Sequence, residues 1–152
     1  MSQVVIENPV INSPFEEPTQ HFEFDDDGIT DKIVKQRRKS SYFTPIPRPK
    51  KRKGQAPTLF DTEWTAEREK ENELINQIRA KVKSWRGRGY PNVTKTTARL
   101  LAYWTNPERE RKLFFCQIEA IETAIYLTEV ASKDNANWIE NQLHEASDEA
   151  NP

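Results

Sequence analysis

The sequence predicts a mainly α protein: a small bundle of three to four helices over about residues 62–147, behind an extended, largely irregular arm over residues 1–61. Three observations predict it. Beyond residue 70, apolar residues recur at three- and four-residue steps, the spacing of a helix that buries one face. Most of the 10 prolines precede residue 60, against 4 glycines in the whole chain, which moves irregular backbone to the N-terminal third. Hydrophobic residues are 35% and charged residues 31% of the 152, less apolar area than a typical globular domain carries, so the ordered core falls in the C-terminal part.

Within the arm, Val4-Val5-Ile6 and His21-Phe22-Glu23-Phe24 have strand character, and Asp25-Asp26-Asp27-Gly28 reads as a turn. Ser40 to Pro49 favours extended backbone, because each proline biases the residue before it away from helix. These pieces have no partner of their own to bury against and suit draping over a larger body. Hydrogen-exchange protection is expected in the helices and almost none before Asp61.

Helical signals begin at Asp61 or Thr62, with Thr62 as N-cap and acids in the first turn. Leu74, Ile75, Ile78, Val82 and Trp85 then form one apolar stripe, which Gly87 and Gly89 end. After the turn Tyr90-Pro91-Asn92, Thr94 caps a second helix carrying Leu100, Leu101 and Trp104. Asn106 as N-cap and Pro107 at the first helical position predict a third, longer helix. Its apolar face comprises Leu113, Phe114, Ile118, Ile121, Ala124, Ile125 and Leu127. A short amphipathic piece around Trp138, Ile139 and Leu143 closes the chain.

Charge is distributed in blocks although the net charge is only -1. Residues 1–31 carry acids and no Lys or Arg; residues 32–53 carry Lys32, Lys35, Arg37, Arg38, Lys39, Arg48, Lys50, Lys51, Arg52 and Lys53 and no acid. Such blocks stay solvated and serve as interaction segments. Arg37, Arg38, Lys39, Lys50, Lys51, Arg52 and Lys53 are the candidate nucleic-acid contacts; lying against the acidic arm is the plainer alternative. The lone Cys116 forms no internal disulfide and suits a reducing, cytoplasmic setting, where it packs as a small hydrophobe. No apolar run approaches a bilayer span, so no membrane partner is expected.

The chemistry concentrates at Phe114-Phe115-Cys116-Gln117. A glutamine amide offers a donor and an acceptor together, which is what the N6 and N7 edge of adenine matches, and a neighbouring phenyl ring can stack on a base. Gln117, Phe115 and Phe114 are therefore the nucleotide-binding candidates. On spacing alone the plainer reading of Gln117 is a polar residue of an amphipathic helix, and of the two rings, core. Trp85-Arg86-Gly87-Arg88-Gly89-Tyr90 interleaves aromatics with arginines, but Trp85 also fits as the last core residue of its helix. Arg109, Arg111 and Lys112 fit a solvated helix face balanced by Glu108 and Glu110. No catalytic residue, metal ligand set or Gly-x-x-x-x-Gly-Lys-Ser/Thr loop stands out, so this chain alone is expected to bind no cofactor and turn over no ATP.

Several phrases, in order along nearly the whole chain, resemble the opening of type III restriction-enzyme-like subunit R proteins, which are DEAD/DEAH-box helicases. They are Glu7 to Pro18, Ser41 to Lys50, Glu63-Trp64-Thr65, Gly89-Tyr90-Pro91, Trp104 to Arg111, and Ile121 to Leu127. The resemblance implies an N-terminal portion of such a subunit, ending just before the Walker A loop and inactive alone. The parent would be an ATP- and magnesium-dependent translocase and endonuclease acting on DNA with a methyltransferase subunit. This chain would supply the adenine-side helix to the rest of the helicase and nuclease polypeptide. Cys116 stands where many related helicases have an aromatic, which leaves Phe115 or Phe114 as the stacking ring. The alternative is a free-standing DNA-binding adaptor that uses the basic segment 35–53.

Overall fold

The computed structural model describes residues 6–25, 28–43 and 69–150, and within them the protein is mostly helical with two small two-stranded sheets. The first sheet is an antiparallel hairpin, β1 (His21–Asp25) against β2 (Gly28–Val34), in which Phe22 faces Ile33 and Phe24 faces Ile29, with an irregularity between Phe22 and Phe24. The strand predicted at His21 to Phe24 is present; Val4, Val5, Asp26 and Asp27 lie outside the described residues. The segment before the hairpin is shaped by Asn12. Its Oδ1 accepts from the Thr19 and Gln20 N–H groups and its Nδ2 donates to the Gln20 carbonyl, so the polar backbone of a short loop is satisfied without a sheet.

The second sheet joins β3 (Ser41–Phe43) to β4 (Glu69–Glu71). It corrects the expected first helix: residues 69–71 are strand, and the predicted cap at Thr62 lies outside the described residues. Helix α1 (Glu73–Gly87) starts only after Asn72, whose Oδ1 accepts from the Ile75 N–H. Ser40 holds the two together. Its N–H donates to Asn76 Oδ1 at 2.8 Å, and its carbonyl accepts from Asn76 Nδ2 at 3.1 Å and from the Asn72 N–H at 2.8 Å.

The stripe of α1 buries as expected: Ile78, Val82 and Trp85 are core residues. Gly89, at φ 77°, turns the chain out of the helix in the left-handed region that glycine tolerates. Tyr90 follows at φ 59°, uncommon for a bulky residue. Its ring lies edge-on to Trp85 at 4.9 Å and its hydroxyl is hydrogen-bonded, contacts that offset the backbone strain. Trp85 Nε1 donates to the Pro91 carbonyl, which satisfies the polar atom of a fully buried indole.

Helix α2 (Lys95–Trp104) is capped by Thr94, as predicted, and buries only Thr97 and Leu101 fully. It has no acid in its own first turn. Glu129 supplies one from another element, accepting from the Thr94 N–H and the Thr97 hydroxyl.

Helix α3 (Phe115–Ile125) starts later than predicted. Asn106 does cap, but only a turn: its side chain accepts from the Glu108 N–H. The reason is compositional. Pro107-Glu108-Arg109-Glu110-Arg111-Lys112 offers nothing apolar to bury, so favourable end chemistry has no packing to stabilise a helix there. The buried face of α3 also differs from the apolar face expected. Phe114 is 48% exposed and Cys116 is exposed, not packed as a small hydrophobe, whereas Glu122 is the residue of α3 that is fully buried.

Beyond Ile125 the helix widens into a π turn, Tyr126–Val130, in which the Ala131 N–H reaches back to the Tyr126 carbonyl. The wider turn brings Tyr126 and Val130 both into the core, with the Tyr126 ring 5.7 Å from Trp85 and its hydroxyl donating to Asp134. Helix α4 (Trp138–Ala150) closes the core through Ile139. No helix among the described residues is long and apolar enough to cross a membrane.

Candidate functional site

The first turn of α3 carries all three nucleotide-binding candidates. Phe114 is extended, at φ -66° and ψ 151°, and its N–H donates to Gln117 Oε1 at 2.9 Å, the glutamine half of a capping box. The Phe115 N–H donates to the Pro14 carbonyl of the arm at 2.8 Å. The backbone entering α3 is thus fixed from two directions. Gln117 is exposed, and its amide nitrogen has no hydrogen-bond partner among the described residues. The Phe114 ring has the Phe15 ring as a neighbour, with centroids 5.4 Å apart.

Phe115 is engaged differently. Its ring lies beside two guanidinium groups, with Arg37 at 5.4 Å and Arg86 at 5.1 Å from the centroid. Each arginine is paired with a carboxylate further along α3. Arg37 bonds Glu119 through two parallel 2.6 Å contacts, and Arg86 bonds both oxygens of Glu122. Phe115, Glu119 and Glu122 are four and seven residues apart and so share one helix face. Glu17 bridges the pair from the arm: Arg37 Nη1 lies at 3.4 Å, Lys83 at 3.1 Å and Arg86 Nη1 at 3.6 Å.

The electrostatics follow from these partners. Burial opposes ionisation of Glu119, but the Arg37 hydrogen bond and charge outweigh it and hold the carboxyl below its usual range. Arg37 and Arg86 are each driven more firmly into the charged form, chiefly by hydrogen bonds to Glu119 and Glu122. Glu122 also accepts from the Tyr90 hydroxyl at 2.6 Å, and burial together with that carboxylate raises the Tyr90 pKa well above the ordinary phenol. Next to this lattice, burial and Asp134 push Tyr126 up to about 12, while Arg88 and Tyr126 hold Asp134 below the usual carboxylate range.

The three basic candidates within the described residues are engaged inside the chain. Arg37 is spent on Glu119 and Glu17, and Lys39 pairs with Glu71. Arg38 stacks on Phe24 at 4.4 Å. Lys50, Lys51, Arg52 and Lys53 lie outside the described residues. The arm is accordingly docked on α1 and α3 by residues the sequence reading took for solvated charge. That reading missed Glu17, Arg86, Glu119 and Glu122 as a group. One signal was available: two carboxylates three apart, Glu119 and Glu122, sit on the most apolar of the described helices and so need cationic partners there.

Among the described residues no cluster of His, Cys, Asp or Glu could hold a metal ion. The chain matches no protein-family model, no curated protein and no solved structure.

Proposed function

We propose that this chain supplies the adenine-side helix of a nucleotide-driven, DNA-acting enzyme of the type III restriction kind, with the phosphate-binding loop and magnesium ligands contributed by polypeptide outside this sequence. The observation that carries the reading is the pre-set carboxamide of Gln117. Its Oε1 is oriented by the Phe114 N–H and keeps a second lone pair, and its Nε2 is open, so a donor and an acceptor face out together beside the exposed Phe114 ring. Phe114 is the stacking candidate on this reading, because Phe115 already has Arg37 and Arg86 as cation–π partners. The adaptor reading has less support, since Arg37 and Lys39 are neutralised within the chain.

Two substitutions at one position test it. Glutamate at 117 keeps an oxygen for the Phe114 N–H but has no amide donor, whereas alanine loses both. In a polypeptide that joins this chain to a Gly-Lys-Ser/Thr loop, Gln117→Glu and Gln117→Ala should each raise KM for ATP about tenfold, the size of one lost hydrogen bond, and abolish preference for ATP over GTP. An unchanged ATP preference in both variants would refute the proposal, as would unrelated coding sequence after Pro152.

A further inference from the structure

Among the described residues Lys32, Arg37, Lys39, Lys83, Arg86 and Arg88 are each bonded to a carboxylate. Lys95 and Arg99 of α2 and Arg109, Arg111 and Lys112 of the turn after it have no ion pair among the described residues, although Glu108 and Glu110 lie beside three of them. Lys95, Arg99 and Tyr103 follow one another at four-residue steps and so run along one side of α2, all three exposed. Tyr103 is 58% exposed, and the Arg109 guanidinium sits 4.5 Å over its ring, which brings the turn back beside the end of the helix. Leu100 is exposed as well. Arg109 Nη1 is shut off from solvent and has no hydrogen-bond partner. A dehydrated, unbonded guanidinium nitrogen is costly, and a small rotation toward an anionic oxygen recovers that cost.

We infer that the exposed side of α2 and the turn 105–112 form a binding surface for single-stranded nucleic acid: Lys95, Arg99, Arg109, Arg111 and Lys112 meet backbone phosphates and Tyr103 offers its ring to a base. Charge complementarity selects a polyanion, because five cations against the two acids Glu108 and Glu110 leave this stretch net positive. The exposed aromatic selects a strand with unpaired bases, since base stacking on a ring needs an open π-face. This surface is distinct from the basic segment 35–53 and does not depend on the nucleotide role of Gln117.

Fluorescence anisotropy of a labelled 20-nucleotide single strand, titrated with the full chain from 25 to 200 mM salt, tests it. Log affinity should fall linearly with log salt, by roughly 0.7 per phosphate contacted. Arg99→Gln/Arg111→Gln should weaken binding at least about tenfold and flatten that slope by about 1.4, and Tyr103→Ala should weaken it at least about fivefold with the slope unchanged. Both sets of residues are solvent-facing, and unchanged far-ultraviolet circular dichroism verifies that the variants fold. No binding at 25 mM salt would overturn the inference. So would binding lost only on neutralising Lys50 to Lys53, or uptake by phosphatidylserine vesicles without oligonucleotide binding. Duplex bound as tightly as single strand, with Tyr103→Ala neutral, would overturn the single-strand assignment.

Discussion

Arg86→Met is the perturbation that tests the polar lattice most directly. Glu122 has no exposed surface, and its carboxylate is satisfied by Arg86 Nε at 2.9 Å to each oxygen, by Arg86 Nη2 and by the Tyr90 hydroxyl. Methionine keeps an apolar stem but removes every charged donor, including the guanidinium beside Phe115, leaving the buried carboxylate with one phenol. Breaking a buried pair on one side costs about 3–5 kcal/mol. Arg86 retains 23% side-chain exposure, so water reaches the vacated site and the lower end applies, about 3 kcal/mol. Out of a total stability of roughly 5–15 kcal/mol that is a large fraction, and with a urea slope near 1.5 kcal/mol per molar it moves the unfolding midpoint down by about 2 M. The assay is urea unfolding followed by tryptophan fluorescence, with Trp85 in the core as reporter. Removing both charges in Arg86→Met/Glu122→Leu should recover at least about 2 kcal/mol relative to the single variant, because the apolar pair leaves no uncompensated anion. A single variant that loses less than about 1 kcal/mol, or a double variant no better than the single, would refute the claim that Arg86 is what satisfies the buried Glu122 side chain.

Other outcomes follow from the same geometry. Gln117→Ala should cost about 0.5–1 kcal/mol through loss of the α3 cap while Gln117→Glu costs almost nothing, as thermal melts will show. Arg37→Ala or Glu119→Gln should loosen the arm, so that hydrogen exchange speeds up in β1 and β2 while α1 keeps its protection; equal exchange in parent and variant would show the hairpin is held by something else. Glu119, Glu129 and Asp134 all have depressed folded-state pKa values. Their contribution is fully present above the unfolded carboxylate value of about 4 and is lost as pH falls through the folded values, so midpoints should be flat from about pH 5 to 8 and fall below about pH 4. At the alkaline end the raised Tyr126 contributes below the unfolded phenol value of about 10 and is lost as pH climbs toward about 12, readable as late phenolate absorbance at 295 nm.

How much of this was legible in the sequence depends on how local each cause is. The stripe of α1 and the Thr94 cap of α2 are set by residues within a few positions of each other, and both are where periodicity and capping rules put them. The start of α3 was not legible, because Asn106-Pro107 satisfies the end chemistry while the six residues after Asn106 give a helix nothing to pack. The true start depends on Pro14, about a hundred positions away in sequence, accepting from Phe115. At the candidate site, the exposure of Gln117 agrees with the spacing, but the exposure of Phe114 and the engagement of Phe115 do not follow from it, since Phe114 falls on the apolar face and Arg37 and Glu119 are 82 residues apart.

Charge was the hardest signal to read, and for a physical reason. A run of like charges has no partner inside itself, so the purer the block, the more it gains by docking on an opposite charge elsewhere. Arg37 and Lys39 do this, and the segment that looked most available for nucleic acid is partly neutralised by Glu119, Glu17 and Glu71. The mixed run Glu108-Arg109-Glu110-Arg111-Lys112 looked self-balancing, yet adjacent side chains in a turn point apart, and none of its cations is ion-paired. Composition averages over that difference; only the pairing resolves it. Among the described residues, the cations without an ion pair therefore include those of α2 and of the turn behind it, where acids and bases alternate in the sequence.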